Sequence, residues 1–201
     1  MTAAMVEPGR DAGHQAWDYL VRTWQELDVP EGWRAEIDEG SITLVPPPGL
    51  RHNVIAIDVQ RALYRCLPEG LDVFQTLGVH ITPLERLYVP DLVVIERALV
   101  TAAAEEREAA SVDAADALLV VEVTSRSNAR DDRTKKLWAY AHAPVPLYLL
   151  VDRWHEGGPT VTLFSDPSGG VYQSSVQVPF GKSVELPEPF GIELDTSVFS
   201  S

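Results

Sequence analysis

Asp91, Glu122 and Lys136 are the residues of this chain whose types and setting point to shared chemistry. Asp91 stands in Tyr-Val-Pro-Asp-Leu-Val-Val-Ile and Glu122 in Leu-Leu-Val-Val-Glu-Val-Thr. An ionised carboxylate in an apolar strand is costly unless a cation or hydrogen bonds receive it. Side chains alternate along a strand, so Glu122 shares a face with Leu118 and Val120, while Asp91 opens its strand on the side of Val93 and Ile95. If the two strands are neighbours, the carboxylates converge where the strands part. Two hard oxygen donors with room for water suit Mg²⁺ or Mn²⁺. Such an ion acidifies bound water and neutralises charge on a phosphate under attack. The backbone carbonyl of Val123 is a further candidate oxygen ligand. The competing reading is structural: Pro-Asp is common turn chemistry, and Glu122 could simply accept hydrogen bonds from a neighbouring loop.

Helical phase separates the two adjacent lysines. At 100° per residue, Leu137, Tyr140 and Ala141 define the apolar face of a helix expected over Asp131–Ala143. Lys136 flanks that face and can present its ammonium to the acids, where it would orient water and stabilise charge on phosphate. Lys135 points almost opposite and reads as a solvated charge. Arg133 lies toward the inner face, as a phosphate contact or a surface salt bridge. Asp132 reads as a helix-start acid. His52 opens an earlier helix as a cap, a substrate contact or a water relay, with the cap preferred. Glu36 is either a third carboxylate or an exposed strand residue. The chain has no Gly-x-Ser-x-Gly elbow and no Walker-type or dinucleotide-binding glycine loop.

The elements that must position these groups follow from periodicity and breakers. Residues 1–15 read as a flexible tail and 16–201 as one domain, with a first helix over Ala16–Leu27. Trp33–Val45 reads as an N-terminal hairpin around Asp38-Glu39-Gly40, and Pro46-Pro47-Pro48-Gly49 breaks regular structure. A helix is expected over His52–Leu67, and strands over Leu71–Ile81 and Val89–Ile95. Residues 98–117 read as a connector with some helix. Leu118–Thr124 is a continuous apolar run of the kind found in strands covered on both faces. Pro146–Asp152 reads as a second buried strand, and Thr160–Phe164 with Val171-Tyr172 as a C-terminal hairpin followed by a short tail. The sum is a mixed α/β domain, with a central sheet flanked by helices.

Composition narrows the function classes. At 201 residues with 45% hydrophobic content, the chain can bury a substantial core. Cys66 is the single cysteine, so there is no internal disulfide and no cysteine metal cluster, which suits a reducing compartment. No apolar run approaches the roughly 18 residues of a membrane span, and the opening residues lack a signal-peptide pattern. A cytoplasmic protein without membrane association is the expectation. The net charge of −14 opposes indiscriminate binding to nucleic acid. Against that, Arg126–Lys136 carries five bases and two acids, an island that keeps DNA in play.

The ordered set of segments resembles a known family. Those segments are Trp33-Arg-Ala-Glu-Ile-Asp-Glu-Gly, Pro46-Pro-Pro-Gly-Leu-Arg-His52, Leu77-Gly-Val, Val89-Pro-Asp-Leu-Val-Val and Leu119-Val-Val-Glu-Val-Thr-Ser. They continue through Asp132, Lys136-Leu-Trp-Ala-Tyr-Ala, Val145-Pro-Leu-Tyr-Leu-Leu-Val-Asp152 and Pro189-Phe-Gly-Ile-Glu-Leu, covering about residues 30–199. Together they resemble the Uma-type family of restriction-endonuclease-like proteins, within the PD-(D/E)xK nuclease superfamily. The resemblance implies a restriction-endonuclease-like core and a divalent-metal phosphodiesterase site with Asp91 and Glu122 as metal ligands. The superfamily's lysine two residues after the glutamate is replaced by Thr124. Members lacking it supply a lysine from the next helix, where Lys136 falls.

Three functions follow as expectations. The first is a Mg²⁺- or Mn²⁺-dependent nuclease cutting DNA or another phosphodiester with metal-activated water. The second is a catalytically inactive relative serving as a binding module, and the third a hydrolase of smaller phosphate esters. A homodimer or higher homo-oligomer is the expected assembly.

Overall fold

The computed structural model describes the backbone of residues 10–105 and 111–199, with side chains from residue 15 onward. The first helix, α1 (Arg10–Glu26), starts earlier than its apolar stripe suggests, so only residues 1–9 of the expected tail lie outside the described residues. The hairpin forms as expected from β1 (Arg34–Asp38) and β2 (Ser41–Val45). Glu39 and Gly40 both have positive φ, 49° and 74°, which is the backbone of a two-residue primed turn. After the proline break, α2 (Leu50–Leu63) ends one turn short of Leu67, its last bonds tightening to i→i−3 at Arg65 and Cys66.

The expected strand Leu71–Ile81 is in fact two strands in different sheets. β3 (Leu71–Phe74) and β4 (Gly78–Ile81) are separated at Thr76, whose φ of 55° turns the chain out of the first sheet. The expected strand Val89–Ile95 begins only at Leu92. β5 (Arg86–Tyr88) and β6 (Leu92–Glu96) flank Val89-Pro90-Asp91, because Pro90 has no N–H to give to a ladder. The connector contains α3 (Arg97–Glu105) and the short β7 (Ser111–Asp113).

β8 (Leu119–Val123) and β9 (Leu147–Asp152) are fully buried and run parallel, joined by the helical crossover that parallel pairing requires. That crossover, α4 (129–142), holds a π-helical turn at Asp132–Lys136 between α-helical Ala129–Asp131 and Leu137–His142. The C-terminal hairpin is β10 (Thr160–Ser168) with β11 (Val171–Pro179). The expected tail carries a further hairpin, β12 (Ser183–Leu186) with β13 (Ile192–Asp195).

The six-stranded sheet runs β11-β10-β9-β8-β6-β3, and a second sheet runs β2-β1-β5-β4-β7. Alternation in β8 decides what each face meets. Leu119, Val121 and Val123 pack with Ile55, Val59 and Leu63 of α2. Val120 packs on the other face with Ala139 and Tyr140 of α4. Glu122 therefore points to the α4 side of a sheet buried on both faces. This is the helix-flanked mixed sheet that the sequence leads one to expect.

Candidate active site

β6 and β8 are antiparallel neighbours, paired Leu92↔Val121 and Val93↔Val120. One further step in that register sets Asp91 opposite Glu122. Asp91 is tied to β8 directly, because the Val123 N–H donates to its Oδ2 over 2.8 Å. The two acids expected to converge thus stand at adjoining strand ends, both buried.

Each acid has its own side-chain partners. Arg34 donates to Asp91 Oδ1 over 3.0 Å, and His52 Nε2 lies 2.9 Å from Oδ2. Burial alone would raise the Asp91 pKa, but His52, Arg34 and the Val123 N–H outweigh it and hold the carboxyl below its usual range. Lys136 Nζ and the Tyr140 hydroxyl each donate to Glu122 Oε1 over 3.0 Å. Both use Oε1, so neither engages Oε2. Burial pushes Glu122 up to about 7, with Lys136 opposing and the charges of Asp91 and Glu36 reinforcing the rise.

The first hairpin supplies a third carboxylate. Alternation along β1 places Arg34, Glu36 and Asp38 on one face. Glu36 is buried, accepts the Val89 N–H over 3.1 Å and binds Lys136 Nζ over 3.0 Å. Of the two readings of Glu36, the exposed one is therefore wrong. The fourth acid is Asp132, which is fully buried and 3.7 Å from Lys136 Nζ. It is not the helix-start acid expected, because α4 begins three residues earlier and the π turn carries it inward. Neither Asp132 oxygen has a hydrogen-bond partner, and burial drives its pKa well above the ordinary value against the pull of Lys136. Lys136 behaves oppositely: burial would lower its pKa, but Glu122, Glu36 and Asp132 raise it well above normal. The Tyr88 ring lies 5.3 Å from its ammonium.

The other sequence candidates settle differently. His52 is not a cap: Gly49 holds that position in α2, and His52 is buried against Asp91. Thr124 donates to Asp152 Oδ1 and accepts the Arg153 N–H, so it secures a strand end. Arg133 forms a two-pronged ion pair with Asp152 at 2.7 and 2.8 Å, which is the salt-bridge reading. Lys135 is half exposed but bridges Asp38 and Glu39 at 3.0 and 3.2 Å rather than standing free in solvent. Much of the basic island is thus neutralised within the fold.

Sequence reasoning missed Arg34 and the burial of Asp132. Strand alternation from Glu36 would have found the first, and the i,i+4 spacing to Lys136 the second. A cleft of about 660 Å³ reaches Arg34, His52 and Asp91, with Trp24 and Trp33 in its wall. A smaller cleft of about 250 Å³ reaches Glu36, Tyr88 and Lys136. Two clefts thus approach the cluster. Among the described residues, no group of three or more His, Cys, Asp or Glu side chains is arranged to hold a metal ion. The donor chemistry that fits a hard divalent cation is the carboxylate pair, Asp91 with the unengaged Glu122 Oε2.

A mixed sheet flanked by α2 and α4, with acids at adjoining strand ends and a lysine on the next helix, defines a restriction-endonuclease-like fold. Residues 21–197 match the Uma2 family, described as "Putative restriction endonuclease", and the chain belongs to that family. It is similar in structure to "a putative nuclease belonging to DUF820" from Anabaena variabilis ATCC 29413. The TM-score is 0.68 at 18% identity, over 89% of this chain and 96% of that one, a likeness of fold. No curated protein matches the chain. No helix among the described residues is long and apolar enough to cross a membrane.

Proposed function

We propose that this protein is a divalent-metal-dependent nuclease that hydrolyses DNA phosphodiester bonds by attack of water. The observation that carries the reading is the contact of Lys136 with Glu122 beside Asp91, since it rebuilds from a helix the basic group missing at Thr124. Asp91 and Glu122 would hold Mg²⁺ or Mn²⁺, which supplies charge neutralisation and an acidified water when bound. Arg34 and His52 keep Asp91 ionised and fixed in place. Lys136 stays protonated at neutral pH among three carboxylates, which suits it to stabilise phosphate charge rather than to take the water's proton. The water oxygen forms the new bond to phosphorus and the bond to the leaving ester oxygen breaks. The products are a phosphate monoester and a free hydroxyl.

The test is cleavage of plasmid and oligonucleotide DNA with Mg²⁺ or Mn²⁺, against Asp91→Ala and Glu122→Ala. Both variants are expected to lose cleavage while retaining the fold by circular dichroism. Undiminished cleavage in both would sink the assignment.

One observation favours a second reading, in which the chain is a non-catalytic member serving as a binding module. Arg34, His52 and Lys136 already compensate the acids from within the chain. Calorimetry separates the two readings, since saturable Mn²⁺ binding is expected only for the nuclease.

A further inference from the structure

Acids outnumber bases in this chain by 30 to 16, and around the site the cations are consumed accordingly. Arg34, Arg86, Arg133, Lys135 and Lys136 each sit against a carboxylate. Two arginines just beyond β8 and β9 break that pattern. The Arg126 guanidinium stands 4.6 Å from the centre of the Trp154 indole, and that of Arg153 stands 5.5 Å from it. Among the described residues neither is ion-paired to a carboxylate, and Arg153 Nε is buried without a hydrogen-bond partner. Burial and the nearby charge of Arg51 both lower the Arg153 pKa. With acids in excess, the missing ion pairs at Arg126 and Arg153 are not for want of partners.

We propose that Arg126, Trp154 and Arg153 form a phosphate-binding ridge that docks the nucleic-acid backbone beside the catalytic cluster. The inference rests on the nuclease reading and names how its substrate is held. The indole holds both guanidiniums by cation–π attraction while their N–H groups stay available to phosphate oxygens. The ridge is fixed to the site: the Arg153 N–H donates to Thr124 Oγ1 over 3.0 Å, two residues from Glu122. The Trp154 N–H is held by Asp152 Oδ1, also over 3.0 Å. Arg126 directly precedes Ser127 and Asn128, which line the smaller cleft. Arg51 directly precedes His52, which lines the larger one. A local cationic ridge of this kind lets a chain of net charge −14 meet a polyanion.

The test is fluorescence anisotropy with a short fluorescein-labelled DNA duplex and the matching single strand, in EDTA so that nothing is cut. Arg126→Gln/Arg153→Gln is expected to bind about tenfold or more weakly and to flatten the log–log salt dependence by about 1 per arginine. Lys182→Gln removes one exposed charge elsewhere and is expected to leave that slope unchanged. Since Arg153 is partly buried, Arg126→Gln alone carries the test if the double variant does not fold, with a slope change of about 1 expected. Affinity and slope equal to those of Lys182→Gln overturn the ridge. Cleavage is assayed separately with Mg²⁺. Arginine-dependent binding without cleavage keeps the ridge and sinks the nuclease reading, whereas cleavage with arginine-independent binding sinks the ridge alone. No binding of either DNA by the wild-type protein overturns both.

Discussion

Lys136 Nζ lies 3.0 Å from Glu122 Oε1, joining a helix to a buried strand where each residue alone would be a liability. Removing one partner of a buried ion pair costs more than the pair contributes, because the other charge is left uncompensated. Lys136→Met is therefore expected to lower unfolding free energy by about 3–5 kcal/mol, measured by urea titration at neutral pH. It should also push the Glu122 carboxyl above about 7, readable by carboxyl-carbon NMR. A stability loss of a few tenths of a kcal/mol would show that Lys136 is solvated rather than clamped.

Glu122 also sets a pH dependence. Its folded pKa of about 7 exceeds the ordinary 4.5 because burial penalises the carboxylate. An acid raised in the fold stabilises it below the unfolded value, and that contribution is lost as pH climbs from 4.5 through about 7. Stability of the metal-free protein is expected to fall across that window, and Glu122→Gln to flatten the fall. An identical pH profile in the two proteins would remove Glu122 as its source.

Asp91 holds three donors: Arg34, His52 and the Val123 N–H. Asp91→Ala removes the acceptor of His52 and of the Val123 N–H and leaves Arg34 only the Val89 carbonyl, so a loss of about 3–5 kcal/mol is expected. Asp91→Asn keeps the size and some of the bonds, so it should lose less stability while still losing Mn²⁺ binding by calorimetry. Equal melting temperatures for the two variants would show that these bonds contribute little.

Restoring the superfamily's lysine at its usual position should fail. Thr124 is fully buried, and its hydroxyl serves both Asp152 and the Arg153 N–H. Thr124→Lys overfills that space and unpairs both groups, so about 2 kcal/mol or more of stability is expected to be lost. No gain in cleavage should accompany it. A faster, equally stable variant would mean that position 124 still faces the chemistry.

Much of this site is written in local periodicity. Alternation along β8 puts Glu122 on the face of Val120, and helical phase separates Lys136 from Lys135. Both follow because a side chain's direction within one element depends on residues two to four positions away. The apolar runs of β8 and β9 likewise reveal a sheet buried on both faces. Breaks are less legible: Thr76 divides what looks like one strand, Pro90 delays the start of another, and the sheet receiving each piece is a matter of packing.

The company each acid keeps comes from long-range packing. Arg34 reaches Asp91 across 57 residues and Lys136 reaches Glu36 across 100, through the docking of the first hairpin beside α4. Asp132, expected as a helix-start acid, lies within the π turn of α4 and is fully buried. Local pattern sets which residues bear ionisable groups and which way each element points them. Their partners, and the pKa values that follow, depend on how distant elements pack and exclude water.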